Sequence, residues 1–268
     1  MRNISIKQKY GPLALVAGAS EGIGASFSHY LAASGMDLIL VARRKDPLEQ
    51  LAHLLTNQYH VKVTCISCDL SDNEAAIKVK ESLDGRDVNL LVYNAALSYI
   101  GPFEQNSMEH HNKIAITNMI TPMKMLQLFG EPMLKKGKGA IILMASLAGF
   151  QGSGFLTAYA STKAFTRVLA ESLWYEWKNR GVDVIACCAG ATSTQNYIDT
   201  KPEQTGFLTP KVLKPDEVVD ECMKQLGKKP SFITGRGNRI ASFIMQKLFP
   251  RKMAINIMGG TTRKMYRL

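Results

Sequence analysis

The segment from Leu13 to Ser34 narrows the possible folds more than any other. Leu13–Ala17 is an unbroken apolar run with the length of a buried strand. Gly18-Ala-Ser-Glu-Gly22-Ile-Gly24 follows it at once, and Ala25–Ser34 then places Phe27, Tyr30 and Leu31 on one helical face. Glycines between a strand and a helix let the backbone turn tightly and approach a bound group closely. The helix start adds free N–H groups and a partial positive charge, so such a loop suits a pyrophosphate. Gly18, Ser20, Glu21, Gly22, Ile23 and Gly24 are the candidate contacts. Further strand candidates, Leu38–Val41, Val61–Ile66, Leu90–Tyr93, Ala140–Met144 and Val182–Cys187, alternate with helical stretches. That alternation predicts an α/β fold with a doubly wound parallel sheet. Ligands of such sheets bind at the carboxyl ends of the strands, so Gly18, Asn94, Ser146 and Gly190, each just after a strand, converge on one crevice.

A second group of residues supplies chemistry. Tyr159 and Lys163 stand four apart, on one face of a helix, and Ser146 precedes the tyrosine by thirteen residues. A free phenol titrates near pH ~10, too high for proton transfer at neutral pH. A neighbouring ammonium favours phenolate, so Lys163 is expected to draw the phenol down, while Ser146 holds a carbonyl oxygen against it. Taken singly, a Tyr-Lys pair at this spacing is in most cases ordinary helix surface, and Ser146 reads as a turn residue. Beside the glycine loop they read as a proton-transfer site waiting for a hydride donor.

With both ends in place, the chain resembles the short-chain dehydrogenase/reductase family over roughly residues 11–235. The family's TGxxxGIG loop is present with Ala17 for Thr. Its NNAG turn reads Tyr93-Asn94-Ala95-Ala96, and its PGxxxT segment reads Ala189-Gly190-Ala191-Thr192-Ser193-Thr194. The resemblance implies a Rossmann-type single domain and a catalytic set of Asn118, Ser146, Tyr159 and Lys163. Tyr159 would give the proton, Ser146 would hold the substrate oxygen, and Lys163 would hold the nicotinamide ribose. Asn118, in a helix that Thr121-Pro122 could kink, would position a relaying water. Asn94, Ala95, Gly190, Thr192 and Thr194 would line the cofactor, and Ala96 puts a methyl where the backbone normally passes close to it. Asp69, with Leu70 beside it, would meet the adenine; the competing reading makes Asp69 the cap of a helix over Leu70–Leu83.

Charge distinguishes the dinucleotides. An NAD site carries a carboxylate after the second strand, about 20 residues beyond the glycines. Here Ala42 holds that position and Arg43, Arg44 and Lys45 follow, a set that would hold the 2′-phosphate of NADP(H). The alternative is that the cations merely solubilise a helix start.

The chain has 268 residues, 46% of them hydrophobic, enough for one core. Met1–Tyr10 carries Arg2, Lys7 and Lys9 without an apolar segment, and no stretch approaches the ~18–20 apolar residues of a membrane span. A cytoplasmic protein is expected, with peripheral membrane contact as an alternative. Cys65, Cys68, Cys187, Cys188 and Cys222 read as reduced structural thiols, Cys187 and Cys188 facing opposite ways. His29, His53, His60, His110 and His111 give no metal pattern.

Net charge is +11, and from Lys228 onward there are ten basic residues and no Asp or Glu. This stretch contains a basic helical extension, residues 236–268. Ile240, Phe243, Ile244, Leu248 and Phe249 are spaced for one helical face before Pro250 interrupts, and Met253, Ile255, Ile257 and Met258 follow. The extension fits an anionic membrane surface, an acidic partner such as an acyl carrier or acyl-CoA, or simple packing on the domain or another subunit. Nucleic acid is not expected, since no recognition motif accompanies the charge. Leu97–Phe103, Phe150–Phe155 and a lid over Gln195–Leu213 would line the substrate site, with Tyr99, Phe150, Phe155, Tyr197 and Phe207 making it apolar. Trp174 and Trp177 would suit an oligomer surface, the competing reading being that a Trp in a helix is more often core. The resemblance extends to the branch with 3-oxoacyl-CoA and 17-ketosteroid reductases, which implies reversible NADPH-dependent reduction of a bulky ketone in lipid metabolism. Two readings compete: a non-catalytic NADPH-binding sensor and an NAD-linked alcohol oxidase.

Overall fold

The computed structural model describes residues 5–203 and 212–268. Its strands are β1 (Leu13–Ala17), β2 (Asp37–Ala42), β3 (Val63–Ser67), β4 (Leu90–Tyr93), β5 (Gly139–Ser146), β6 (Val182–Ala189) and β7 (Ser231–Ile233). The helices are α1 (Ile6–Tyr10), α2 (Gly22–Ala33), α3 (Lys45–Tyr59), α4 (Ala75–Glu81), α5 (Met108–Ala115), α6 (Thr121–Lys136), α7 (Thr157–Trp177), α8 (Gln195–Asp199), α9 (Pro215–Gln225), α10 (Arg236–Phe243) and α11 (Arg251–Tyr266). The sheet has seven strands in the order β3-β2-β1-β4-β5-β6-β7, and every pairing is parallel. The order reverses at β1, which pairs with β2 on one side and β4 on the other, so the loops after β1 and β4 part there and leave a crevice.

Parallel strands covered on both faces need apolar side chains at every position, and β1 is buried throughout. Its side chains alternate: Ala14 and Val16 join one core, and Leu13, Leu15 and Ala17 the other. Phe27 and Leu31 of α2, Leu48 of α3 and Val219 of α9 close the first core. Val79 of α4, Phe129 of α6 and Trp177 of α7 close the second. Cys187 and Cys188 do lie in opposite cores, and all five thiols are free.

Two expectations are revised, and Trp177 takes the core reading of its two. β3 begins two residues after Val61. α4 starts at Ala75, because Asp69-Leu70-Ser71-Asp72 is held in turns by its own Asp side chains rather than in a helix. Trp177 is core: a Cβ at Gly130 would lie 2.6 Å from its ring. The extension divides at Pro250 as expected, into α10 with a π-helical turn over Ile244–Leu248, then α11.

Candidate active site

The glycine loop is shaped by contacts that leave no room for side chains. Gly18 adopts φ +80°, and a Cβ there would lie 2.6 Å from the Ala95 nitrogen. A Cβ on Gly24 would lie 1.9 Å from the Gly18 carbonyl oxygen. That oxygen accepts a hydrogen bond from Asn94 Nδ2 at 2.9 Å, which ties the end of β4 to the end of β1. At the start of α2, Glu21 is the N-cap residue but its side chain caps nothing, and no acidic side chain occupies the first turn. The opening N–H groups therefore face the crevice with their positive field intact. Ser20 is half-buried in the bend, and Ile23 packs against the first core. The segment after β6 comes across this loop: a Cβ on Gly22 would lie 2.7 Å from Thr194 Cγ2. A cradle of this form fits a dinucleotide. The methyl of Ala96 is exposed and does not fill it.

At the end of β2, Ala42 is buried and Arg43 exposed. Arg44 pairs with Glu21 at 2.6 Å. Asp69 accepts from Ser71 N at 3.0 Å and Ser71 Oγ at 2.8 Å. The Ser71 backbone N–H leads in holding its carboxyl below the usual carboxylate range, with smaller help from Arg43 and Lys113. Since α4 begins six residues later, Asp69 is not its cap. Leu70 is buried, and its carbonyl accepts from Thr121 Oγ1 at 2.9 Å.

Ser146 is the last residue of β5, and its hydroxyl accepts from Ala148 N at 3.2 Å. Tyr159 and Lys163 lie one turn apart on α7, with the lysine Nζ 5.6 Å from the tyrosine ring centre. Burial pushes the Tyr159 phenol above its ordinary value; Ser146, placed to hydrogen-bond it, pulls the other way, and Tyr266 raises it further. Lys163 is not the influence expected. Its ammonium is buried and donates to the Met144 carbonyl at 2.6 Å, and burial lowers its pKa to about 8. Burial, and not the neighbouring ammonium, sets the direction of the phenol's shift.

Asn118 sits in a π-helical turn, Ile116–Ile120, between α5 and α6. Its Oδ1 accepts from Leu97 N, and its Nδ2 donates to Leu97 O and Thr162 Oγ1, all at 2.9 Å. The side chain thus fastens the loop after β4 to α7. The distortion lies in the π turn itself, ahead of Pro122 in the first turn of α6. After β6, Gly190 faces Asn238, and Thr192 Oγ1 donates to the Gly190 carbonyl at 3.1 Å. Thr194 caps α8 by accepting from Tyr197 N.

On the substrate side, Gly101 N donates to Phe155 O at 2.9 Å, joining the loops after β4 and β5. Phe150 lies under the Arg167 guanidinium at 4.6 Å. Part of the expected lid is α8; Phe207 lies outside the described residues. Two contributors escape the sequence reading. A Cβ on Gly149 would lie 2.6 Å from Ala164 N, so this glycine lets the loop after Ser146 close onto α7 beside Lys163. The other is α11, whose Tyr266 hydroxyl approaches Thr200 Oγ1 at 3.5 Å. A glycine between Ser146 and Tyr159 was a legible signal for the first; nothing local signals the second. Among the described residues no cluster of metal-ligating side chains occurs.

Such a cleft can hold a dinucleotide at its glycine end and offer a phenolic proton to a carbonyl at the other, the division of labour of a nicotinamide-dependent oxidoreductase acting on carbonyl and hydroxyl groups. The family model described as short chain dehydrogenase matches residues 12–205, and the chain belongs to that family. It is 31% identical over 236 residues to a 7beta-hydroxysteroid dehydrogenase of Clostridium sardiniense, covering 88% of this chain and 90% of that one. It is 30% identical to a very-long-chain 3-oxoacyl-CoA reductase of Bos taurus, covering 81% and 69%. Among solved structures, one from work on 7beta-hydroxysteroid dehydrogenase stereoselectivity superposes with a TM-score of 0.89 at 28% identity, covering 95% of this chain and 99% of that one. A short-chain dehydrogenase of Sphingobium yanoikuyae in complex with NADPH gives 0.74 at 28% identity, covering 83% and 87%.

Proposed function

We propose that the protein reduces a bulky hydrophobic ketone to a secondary alcohol, reversibly, with NADPH as reductant. The observation that carries this reading is the Tyr159 phenol set with Ser146 and Lys163 in a cleft where β2 ends in Ala42, followed by Arg43, at the position where an NAD site carries a carboxylate. When bound, the nicotinamide supplies the hydride. Tyr159 gives its proton to the alkoxide oxygen as it forms, and the Ser146 hydroxyl donates a hydrogen bond to that oxygen, a dipole set in advance for charge that appears only in the transition state. Lys163 is placed to hold the nicotinamide ribose and keep a positive charge beneath the phenol. Gly18–Gly24 and Thr192–Thr194 take the pyrophosphate, Asn94 and Ala95 line the floor, and Asp69 and Leu70 border the adenine.

Arg43 takes the 2′-phosphate, since Arg44 is already engaged with Glu21. The steroid and 3-oxoacyl reductases among the relatives support a large apolar substrate and a place in lipid metabolism. Five free thiols support a reducing, cytoplasmic setting. Two partner readings join this: a second copy through α7, and an anionic lipid surface through residues 236–268, whose Phe243 and Leu248 are 60% and 65% exposed. A non-catalytic sensor would have no use for the Ser146–Tyr159 pair.

The test is NADPH oxidation against ketones running from small diketones to steroids and 3-oxoacyl thioesters, repeated with Tyr159→Phe and Arg43→Ala. Tyr159→Phe should lose about 10²–10⁴-fold in kcat with cofactor affinity kept. Arg43→Ala should weaken NADPH and spare NADH. Activity surviving without the phenol would sink the mechanism, and equal losses with both cofactors would sink the phosphate assignment.

A further inference from the structure

The loop between β4 and α5 lies on the substrate side of the cleft and is fastened at three places. At its start, Asn118 holds both backbone groups of Leu97. At its middle, Gly101 N donates across to Phe155 O. At its end a tight turn over Phe103–Gln105 leads into α5, and there Asn106, His110 and His111 form a small polar network. His111 Nε2 lies 3.2 Å from the Phe103 carbonyl, which can only accept, so the neutral ring carries its proton on Nε2 and leaves Nδ1 bare. That bare nitrogen accepts from Asn106 Nδ2 at 3.3 Å. The other end of the amide, Oδ1, then accepts from His110 Nδ1 at 2.9 Å. The rings also pack on the loop: His111 stacks on Phe103 with 4.4 Å between centres, and His110 stands edge-on to Tyr99 at 6.3 Å. Tyr99 in turn lies over Gly101, where a Cβ would come 2.7 Å from its hydroxyl oxygen. Of the three fastenings, only the histidine one can titrate near neutral pH.

A proton added at His111 Nδ1 sets donor against donor at the Asn106 amide. Turning the amide over moves the conflict to His110, whose ring would have to change tautomer as well. The charged groups on the elements around the rings are Glu104 in the turn, Glu109 and Lys113 of α5, and Lys163, Arg167, Glu171 and Glu176 of α7, which packs against α5. Glu109 pairs with Lys113 at 2.7 Å, and the charge of Asp69 also reaches Lys113. Arg167 pairs with Glu171 at 3.2 Å, Lys163 is turned to the Met144 carbonyl, and Glu104 is exposed. We propose that His111 is a positioning residue for the ketone: neutral, it pins the end of this loop through Phe103 and Asn106; protonated, it releases the loop, and substrate binding weakens while the chemical step is unchanged. The inference rests on the ketone-reductase reading and adds to it a control of KM by pH.

The full chain is assayed with saturating NADPH and a steroid ketone that has no ionisable group, at about pH 7.5 and about pH 5.5, which bracket an ordinary imidazole. Wild-type KM should rise about three- to tenfold in acid, as the loss of roughly one hydrogen bond implies. His111→Gln can still donate to the Phe103 carbonyl but takes up no proton, so its KM should stay level across that range. His111→Ala should show the raised KM at both pH values. Tyr159 and Lys163 are present in all three proteins, so a difference between wild type and His111→Gln belongs to His111. An acid rise of the same size in His111→Gln, or none in wild type, overturns the inference. So does a loss confined to kcat or to thermal stability in His111→Ala, the mark of a merely structural contact. If no ketone is turned over, the reductase reading falls on its own, and nitrogen NMR of the histidine rings decides for His111. A neutral His111 protonated at Nε2, with the Asn106 side-chain and Gly101 amide signals moving as it titrates, supports the inference. A proton on Nδ1, or signals that ignore the titration, overturns it.

Discussion

Burial lowers the pKa of Lys163 from 10.5 to about 8, and its partner is the Met144 carbonyl rather than a carboxylate. The sign of the consequence is fixed. Between pH 8 and 10.5 the unfolded lysine keeps a proton that the folded one has shed, so stability rises with pH across that window. Below pH 8 both forms are charged, and the cost of burying the ammonium, on the order of 3 kcal/mol, is present in full. Cofactor-free wild type should therefore gain stability from pH 8 towards 10 relative to Lys163→Met in paired denaturant titrations. Parallel curves for the two proteins would show that the amine is not buried as a cation. The raised Tyr159 works in the opposite direction only above pH ~10, where the unfolded phenol ionises first. Sequence pattern located both residues once their spacing was joined to the glycine loop and the family resemblance, yet misjudged how they act on each other. Spacing reveals which side chains share a face; it does not reveal that Met144 presents its carbonyl to the ammonium.

Among the elements, the loop between β1 and α2 has the least room for change. A methyl on Gly24 would sit 1.9 Å from the Gly18 oxygen and 2.8 Å from Asn94 Nδ2, so α2 must move or the Asn94 bond must break. Gly24→Ala should cost about 1–3 kcal/mol in denaturant unfolding and weaken NADPH binding at the same time. A variant with wild-type stability and affinity would mean that the loop is more pliant than its packing. β1 and β4 were legible to the residue because they are short, fully apolar and bounded by turn signals. α4 was not, since Asp69 and Asp72 bind the backbone locally and delay the helix, a competition that helical periodicity does not register. The π turn at Asn118 was likewise hidden: its purpose is a tertiary one, to bring an amide against Leu97 and Thr162.

Across the whole molecule, charge and apolar exposure coincide in residues 236–268. Arg239 and Arg267 are paired with Glu221 and Glu203, while Lys247 and Lys252 are exposed beside Phe243, Leu248 and Met253. Vesicles of phosphatidylglycerol should pull the protein down and vesicles of phosphatidylcholine should not. Each of Lys247→Ala and Lys252→Ala should cost up to about 1 kcal/mol of that binding, and added salt should release the rest. Indifference to lipid charge would count against the surface. Val168 and Tyr175 of α7 are exposed at 52% and 69%, on the helix that carries Tyr159, and suit contact with a second copy. A monomeric mass by light scattering would dismiss that contact. The basic stretch was readable from the sequence, but its seat was not, because the partners it finds at Phe150, Gln151 and Glu203 are 62 to 101 residues away.

That seat sets a direction of traffic. α10 and α11 lie against the loop after β5 and the end of α8, at the substrate end of the cleft and away from the glycine turn. Were the proposed lipid contact to form through these helices, the substrate mouth would turn to the bilayer and the dinucleotide end would stay open to water. A ketone of the proposed kind would then reach Ser146 and Tyr159 with little exposure to solvent.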